Sequence, residues 1–198
     1  MSWSDPTLAD VPDTERLRIV PFAERHLTER YVSWLNDPIV VRFSQQRFRA
    51  HTLRSCREYW ESFRGSDDEF WAVEARDPEL GHIGNLTISR DVRHGVADIA
   101  ILIGERRVWG AGLGHEAWIA MCDDLFRRGV RKITAGTLST NDRMLSLMRR
   151  AGMVPDGVRH RHEIFEGREV DLVFAALFRE DWLARPTAQV GAGAGEGR

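Results

Sequence analysis

The chain has 198 residues and a formal net charge of −2, from 28 basic against 30 acidic side chains. A chain of this length buries most of its surface on folding, so we expect one domain with one sizeable core. The near balance of charge argues against a dedicated nucleic-acid-binding domain, which would carry a large positive excess. It does not exclude a phosphorylated small molecule held by a local cluster of charges.

The two cysteines, Cys56 and Cys122, are too few for a disulfide framework, and neither has the neighbouring cysteine that a zinc knuckle needs. We expect both to be buried thiols. No apolar run approaches the roughly 20 residues of a membrane-spanning helix. The N-terminal residues carry acids where a secretory signal would carry bases, so we expect a cytoplasmic protein.

Both ends of the chain have the composition of flexible tails. Residues 1–14 are polar and contain two prolines, and residues 185–198 are rich in glycine and alanine, so neither end has much to bury. We therefore expect the folded domain to span 15–184.

The predicted elements begin with a strand at 17–22 and two helices. The first helix has apolar side chains at helical spacing and ends near Asn36, and Thr52 is a suitable N-cap for the second, which Gly65 closes. Three strand-like runs follow, joined by short connectors rich in turn-forming residues. A parallel crossover needs a dozen or more residues, so these strands must form an antiparallel meander. They lie at 70–75, 82–89 and 96–103.

The second half alternates helices and strands, which permits parallel pairing. A helix at 115–128 separates the strand at 96–103 from the buried stretch at 133–138, so these two strands can lie side by side in parallel. The whole order predicts a mixed α/β (α+β) domain whose central sheet has an antiparallel first half. The remaining elements are a helix from Asp142 to Ala151 and strands at 157–165 and 168–177.

A glycine-rich loop precedes the helix at 115–128. In GERRVWGAGLGHEA, Gly110, Gly112 and Gly114 alternate just before a helix N-terminus, where backbone N–H groups can surround phosphate oxygens. The loop lacks the lysine and hydroxyl residue of an NTPase loop. It follows the third strand of a meander instead of the first strand of a βαβ unit, which is the wrong context for a dinucleotide fingerprint. A plain turn that lets helix and strand pack closely stays open.

Arg107, Gly110 and Gly112 match the pattern R-x-x-G-x-G, and an N-x10-G-M pattern runs from Asn141 to Met153. With the meander before them, these motifs resemble the acyl-CoA signature of the GNAT N-acetyltransferase superfamily. The resemblance covers about residues 15–180. The segments WLNDPIV and VDLVFAAL are similar to the RimJ/RimL branch, whose members acetylate protein N-termini or small amines.

The resemblance implies a single-domain GNAT fold in which the strand at 96–103 splays from its parallel neighbour and the pantetheine of acetyl-CoA lies in the gap. Backbone N–H groups of the loop would hold the pyrophosphate, Arg107 would add charge, and one strand N–H would polarise the thioester carbonyl. Asn141 would face the cofactor arm, with a helix N-cap as the alternative. The implied cofactor-binding residues are Ile101, Leu102, Ile103, Arg107, Val108, Trp109, Gly110, Ala111, Gly112, Leu113, Gly114, Asn141 and Arg143.

The acceptor amine is protonated near neutral pH, so a base is needed. Asp98 is the first candidate, because it occupies the acidic position that precedes the cofactor-binding run in several GNAT members and interrupts an otherwise apolar strand. Burial there would raise its pKa toward a useful range. A solvated strand face is the alternative. Glu105, Glu116 and His94 are the reserves.

The chain departs from the family where the leaving thiolate would collect its proton. Many members place tyrosine seven residues after the asparagine or serine three after it, and Met148 and Met144 stand at those positions here. Neither can donate a proton. Ser146, Ser139 or a water stays open as donor, and a thiolate with a pKa of about 8.5 also leaves without a dedicated acid.

The acceptor side of the predicted site is rich in aromatic and amide side chains. Such a wall would suit an amino sugar, since sugars stack on rings and take hydrogen bonds from amides and carboxylates. Core packing is the alternative for Trp34. His160 and His162 share a face of a predicted strand without an evident third ligand, so we expect no metal. The candidate substrate-binding residues are Trp34, Asn36, Asp37, Asn85 and His94.

The sequence therefore predicts an acetyl-CoA-dependent N-acetyltransferase that transfers acetyl to a primary amine of a small molecule in a ternary complex, with a preference for an amino sugar. A protein N-terminus as acceptor, a CoA-binding protein without catalysis and a nucleotide-binding protein are the alternatives. We expect no nucleic-acid or membrane partner, and a homodimer stays open.

Overall fold

The computed structural model describes residues 13–185, which form one mixed seven-stranded sheet flanked by helices. The predicted tails lie almost entirely outside the described residues. The strands are β1 (Leu17–Pro21), β2 (Glu69–Ala75), β3 (His82–Asp91), β4 (Val96–Ile103), β5 (Lys132–Leu138), β6 (Val154–Phe165) and β7 (Arg168–Phe178). Their spatial order is β1-β2-β3-β4-β5-β7-β6, and every neighbouring pair is antiparallel except β4 and β5. The predicted mixed sheet with an antiparallel first half is confirmed.

Five α-helices among residues 13–185 flank the sheet, and short 3-10 helices lie in the connections at 24–26, 45–48 and 106–108. No helix in this range is long and apolar enough to cross a membrane. The α-helices are α1 (Glu29–Asn36), α2 (Leu53–Glu61), α3 (Leu113–Arg127), α4 (Asp142–Arg150) and α5 (Arg179–Leu183).

The predicted elements are present, with shifts at their ends. Thr52 caps α2 as predicted, its hydroxyl accepting the backbone N–H of Ser55 at 3.1 Å. α3 begins at Leu113, two residues earlier than predicted, because Gly112 adopts a left-handed conformation and starts the helix there. β6 begins at Val154, three residues early, and tolerates the extra length through two irregular positions in its pairing with β7.

Two apolar clusters pack on opposite faces of the sheet. Neighbouring residues of a strand point to opposite faces, so Phe70 and Trp71 of β2 enter different clusters. The larger cluster lies against α3 and α4, on what we call the α3 face, and the smaller lies against α1 and α2, on the α1 face. Cys122 is buried in the larger cluster and Cys56 in the smaller, as predicted for core thiols.

The parallel strands β4 and β5 are joined over a short stretch only. The last matched pair is Asp98 with Thr134, although β4 runs on to Ile103 and β5 to Leu138. β5 pairs instead with β7 along its whole length. The two strands therefore part after Asp98 and leave a gap, which opens toward the end of β4 where the glycine loop begins.

A buried ionic cluster ties the meander to α3. The Glu69 carboxylate lies 2.8 Å from the guanidinium of Arg90 and 2.7 Å from that of Arg128. The guanidinium of Arg128 also lies 2.8 Å from the carboxylate of Asp124. All four side chains are buried. Buried charges are costly unless paired, so this cluster fixes how β2, β3 and α3 meet.

Replacing Glu69 with glutamine removes one negative charge from this cluster. We expect the free energy of unfolding to fall by about 3 kcal/mol, because two buried guanidinium groups lose the charge they share. Urea unfolding followed by tryptophan fluorescence measures it. Glu58→Gln is the control, since Glu58 pairs with Arg54 on the exposed surface of α2 and should change stability by less than about 0.5 kcal/mol. Equal stability of the two variants would contradict the prediction.

Candidate active site

The gap between β4 and β5 leaves one edge of β4 open. Residues 99–103 pair with β3 on one side and, in the described structure, have no pairing with β5 on the other. Backbone groups on an unpaired edge need a partner, and a ligand lying along the strand can supply one as an added strand would. Ile101, Leu102 and Ile103, the residues expected to contact the cofactor arm, lie on this edge and are half-buried.

The glycine loop joins the end of β4 to the N-terminus of α3. Gly110 and Gly112 have φ angles of +84° and +81°, which other residues adopt only with strain. A Cβ on Gly110 would have no heavy atom within 4 Å outside its own neighbours, so this backbone faces open space. No side chain caps α3 at Gly112. The loop and the helix end therefore present N–H groups and a positive dipole end to an anion.

Contacts with the rest of the chain hold the loop in place. Arg16, just before β1, donates from Nη1 to the carbonyl of Ala111 at 3.0 Å, and the indole N–H of Trp109 donates to the carbonyl of Ile103 at 2.9 Å. Glu116 in the first turn of α3 accepts from Nε of Arg16 at 2.7 Å. Although burial raises the pKa of Glu116, its hydrogen bonds hold that pKa below the usual value. Glu116 is thus a structural partner of Arg16.

Arginines beside the loop add positive charge. Arg107 is largely exposed and binds Glu105 through contacts of 2.9 and 3.2 Å. The hydrogen bond from Arg107 lowers the pKa of Glu105, which keeps this nearly buried carboxylate ionised and engaged. Arg143 at the start of α4 stacks on Trp109, with its guanidinium carbon 4.5 Å from the ring centroid. Arg143 therefore reaches the loop from across the gap.

Asn141 is the N-cap of α4, a role that does not exclude the predicted contact with the cofactor arm. Its Oδ1 accepts the backbone N–H of Met144 at 3.3 Å as the N-cap of α4, and its Nδ2 donates to Thr137 Oγ1 at 2.9 Å. The amide fixes the turn from β5 into α4. Met148 is buried and Met144 packs against the same cluster on the α3 face, so both methionines belong to the core.

Asp98 stands where β4 and β5 part. Its Oδ2 accepts a hydrogen bond from Thr134 Oγ1 at 2.7 Å. Asp98 is exposed, as the alternative of a solvated strand face predicts, but partial desolvation by the surrounding protein raises the pKa of Asp98 while the bond from Thr134 lowers it in part. With Leu102, it points to the α1 face, because alternate residues of a strand share a face. A carboxylate with a raised pKa at the bottom of the gap is suited to take a proton.

His94 lies in the turn before β4, where its carbonyl accepts from Nε of Arg131 at 2.8 Å. β4 has eight residues, so about 26 Å of strand separates this turn from the glycine loop. The structure thus brings Asp98, the open edge of β4 and the glycine loop around one gap and leaves His94 outside it.

Trp34 and Asn36, expected near the acceptor, serve the packing of α1. Trp34 is buried against the backbone of Gly104, where any Cβ would lie 2.1 Å from its ring. The amide of Asn36 donates to the carbonyl of His51 and accepts its N–H, both at 2.9 Å. These contacts fix the end of α1 beside the end of β4.

Asp37 and Asn85 flank the end of β4 on the α1 face. Asp37 accepts the N–H of Ile39 at 2.8 Å and lies 3.3 Å from Arg106. Asn85 is buried opposite Leu102 in the β3–β4 pair. Its Oδ1 is buried and has no hydrogen-bond partner among residues 13–185.

A cavity of about 670 Å³ lies between the segment 38–50 and the turn of the β6–β7 hairpin, and the predicted acceptor residue Asn36 is part of its wall. Arg42 and Glu166 close one side of it at 2.9 Å, and Arg47 and Glu163 lie 3.2 Å apart. These contacts join residues more than 110 positions apart, which no local pattern reveals. The aromatic and amide stretch FSQQRF belongs to the region where the sequence predicts the acceptor side, and its Gln46 and Phe48 line the cavity.

The two histidines of β6 do not assemble a metal site. Arg161 has a φ of +50° and the pairing slips around it, so a bulge interrupts the alternation between His160 and His162. His160 lies 3.2 Å from Asp171 on an exposed strand. In the part of the chain that the structure describes, no group of three histidine, cysteine, aspartate or glutamate residues is placed to hold a metal ion.

The family model of the GNAT acetyltransferase domain matches residues 16–154, which include the gap and the loop. The chain belongs to the GNAT acetyltransferase family. No curated protein sequence matches the chain. Solved structures share the fold at low identity. One is a Vibrio cholerae spermidine N-acetyltransferase in complex with CoA and spermine, with 16% identity, coverage of 86% of this chain and 99% of that chain, and a TM-score of 0.76. A second is the ribosomal L7/L12 α-N-protein acetyltransferase RimL in complex with CoA, with 15% identity, coverage of 85% of this chain and 97% of that chain, and a TM-score of 0.73. A third is a GNAT acetyltransferase from Bacillus anthracis, with 18% identity, coverage of 85% of this chain and 98% of that chain, and a TM-score of 0.72.

The pKa of Asp98 should respond to Thr134. Replacing Thr134 with valine removes the hydrogen bond that favours the carboxylate, so we expect the pKa of Asp98 to rise further above its usual value. Carboxyl chemical shifts in an NMR titration measure it. Thr87→Val on the neighbouring strand is the control and should leave the pKa of Asp98 unchanged. An unchanged or lowered pKa in the Thr134 variant would show that the bond does not control the carboxyl.

Proposed function

We propose that this GNAT-family protein is an acetyl-CoA-dependent N-acetyltransferase that acts on a primary amine of a small molecule. The observation that carries the proposal is the parting of β4 and β5 after Asp98, directly beside the glycine loop at the start of α3. This arrangement offers an extended ligand an open strand edge, an anion site at one end and a carboxylate at the other. Those are the three parts that transfer of acetyl from acetyl-CoA to an amine requires.

Backbone groups would form most of the binding site for the acetyl donor. N–H groups at 110–114 and the uncapped end of α3 would hold the pyrophosphate, with charge from Arg107 and Arg143. The open edge at 101–103 would hold the pantetheine arm, and one of its N–H groups would polarise the thioester carbonyl. Asn141 would contribute by fixing the turn between β5 and α4. When bound, acetyl-CoA supplies the thioester whose C–S bond is replaced by a C–N bond.

Asp98 would act as the base for the acceptor amine. The incoming ammonium must lose a proton before its nitrogen can attack, and the ionised Asp98 takes that proton directly or through a water. The new C–N bond forms as the C–S bond breaks, and the sulfur leaves as a thiolate. Met148 lies in the core, so no side chain at that position donates a proton to the sulfur, and solvent supplies it. Transfer is direct, within a ternary complex.

Features of the acceptor side favour a small amine. The aromatic and amide side chains of the cavity wall, Phe48, Asn36 and Gln46, suit an amino sugar. The RimJ/RimL-like segments of the sequence and the shared fold of RimL keep a protein N-terminus as the second candidate. A thiol-release assay with acetyl-CoA, amino sugars, polyamines and short peptides tests both. CoA binding without thiol release on any amine would leave a non-catalytic CoA-binding protein.

The donor site can be tested at Gly112. In Gly112→Val, the valine backbone cannot adopt a φ of +81° without strain, so the substitution would displace the N–H groups at the start of α3. We expect the dissociation constant for CoA to rise about tenfold or more, as charge-assisted hydrogen bonds are lost. Isothermal calorimetry measures it on folded protein. Gly65→Val is the control, since Gly65 also has a positive φ (+76°) in open space but follows α2. Equal CoA affinity of both variants would show that the loop does not hold the phosphates.

The base can be tested at Asp98. We expect Asp98→Asn to lower kcat about 100-fold or more at neutral pH and to leave CoA affinity unchanged. Because the ionised carboxyl accepts the proton, kcat/KM of the wild type should fall as pH drops through the raised pKa of Asp98. This acid limb should be absent in the variant. Asp67→Asn, on an exposed loop, is the control. Unchanged turnover in Asp98→Asn would exclude Asp98 as the base.

A further inference from the structure

The cavity between the segment 38–50 and the β6–β7 turn lies on the α1 face of the sheet. Leu35 and Val41 in its wall belong to the same apolar cluster that Leu102 of β4 packs against. Leu102 and Asp98 are four residues apart on one strand, so their side chains share a face. The cavity therefore lies on the side of the sheet from which an amine would approach Asp98, and its size of about 670 Å³ suits a small molecule.

Positive charge dominates the wall of this cavity. It contains Arg42, Arg47 and Arg49 against one carboxylate, Glu166. Arg42 pairs with Glu166 at 2.9 Å, and Arg47 pairs with Glu163 at 3.2 Å. Arg49 forms no ion pair with any residue of the described range 13–185, and its side chain is exposed. After pairing, the cavity keeps one uncompensated guanidinium.

Aromatic rings hold the neighbouring arginines in place. The guanidinium carbon of Arg47 lies 4.2 Å from the ring centroid of Phe48, and its Nη1 donates to the carbonyl of Ser44 at 2.8 Å. Phe165 stacks on Phe43 with ring centroids 5.1 Å apart. The cavity thus combines fixed planar cations with ring faces, a combination that binds an anionic group attached to an apolar or sugar body.

We propose that the acceptor is a primary amine that also carries a carboxylate or a phosphate, and that Arg49 binds this anionic group beside the paired Arg42. The inference rests on the proposed function, since it assigns the cavity to the acceptor. A guanidinium binds either anion through two parallel hydrogen bonds. Binding at Arg49 breaks no existing ion pair. The carboxylates around the cavity are already bound to arginines, so a polyamine, which carries only positive charge, is a poor acceptor.

Matched pairs of amines test the proposal in a thiol-release assay on the full chain with acetyl-CoA. The pairs are alanine with alaninamide and glucosamine 6-phosphate with glucosamine, and spermidine is the polycation. We expect the anionic member of at least one pair to have a KM about tenfold lower or more than its neutral partner, since a charge-assisted contact is added. Comparison of the two pairs identifies the anion as carboxylate or phosphate.

Variants of Arg49 connect that preference to the cavity. Arg49→Gln should raise the KM for the anionic member about tenfold and leave the KM for the neutral member and the affinity for CoA unchanged. Arg49→Lys should keep part of the preference, because lysine keeps the charge but loses the planar fork. Arg54→Gln is the control, since Arg54 is exposed on α2 and pairs with Glu58 outside the cavity. It should change none of these constants.

A lower KM for spermidine or for both neutral members would overturn the proposal, as would equal effects of Arg49→Gln and Arg54→Gln. Absence of thiol release with every amine would overturn the proposed function instead. In that case calorimetric titration of the same pairs into the CoA complex tests the cavity by itself. Tighter binding of the anionic member, lost in Arg49→Gln, would support the anion site, and equal or absent binding of both members would overturn it.

Discussion

The short pairing of β4 with β5 is the constraint on which the site depends. Each of the two strands has a full partner on its other side, β3 for β4 and β7 for β5, so they can part after Asp98 without losing their place in the sheet. Where the two strands part, the edge of β4 carries backbone N–H and C=O groups that form no hydrogen bonds with a neighbouring strand of the described sheet. Such an edge is costly unless water or a ligand covers it. The gap therefore offers a ligand an open strand edge, because the two strands do not pair beyond Asp98.

The same parting determines where the chemical groups lie. β4 leads straight into the glycine loop, so an extended ligand that follows its open edge meets the uncapped start of α3 at one end and Asp98 at the other. Arg16 and Trp109 fix the loop by donating to carbonyl groups, and within the loop the N–H of Ala111 donates to the carbonyl of Val108. Strain at Gly110 and Gly112 is avoided because these residues have no side chain. Positioning of this kind supplies much of the catalysis in an acyl transfer.

The sequence predicts the parts of this site that depend on local pattern. Turn-rich connectors predicted the meander, the helix before 133–138 predicted the parallel pair, and the glycines marked the loop. Residues 38–50 are different, because their role depends on contacts with the β6–β7 hairpin more than 110 residues away. Local pattern also could not show that the side-chain amide of Asn36 would form hydrogen bonds with the backbone of His51. Amide and aromatic residues near a predicted site are chosen by packing as often as by a ligand, and only the fold separates the two.

A net charge of −2 is compatible with a local excess of positive charge, because the structure distributes the charged side chains unevenly. Lys132 is the only lysine, so nearly every positive group is a planar guanidinium that pairs readily with a carboxylate. Half of the arginines in the described range form ion pairs, as in the cluster around Glu69. Arg143 at the loop and Arg49 in the cavity form none within that range, whereas Arg107 pairs with Glu105 but stays largely exposed. Since a charged ligand responds mainly to charges within about one Debye length, roughly 8 Å, the local arrangement of such groups bears on anion binding more than the total charge does.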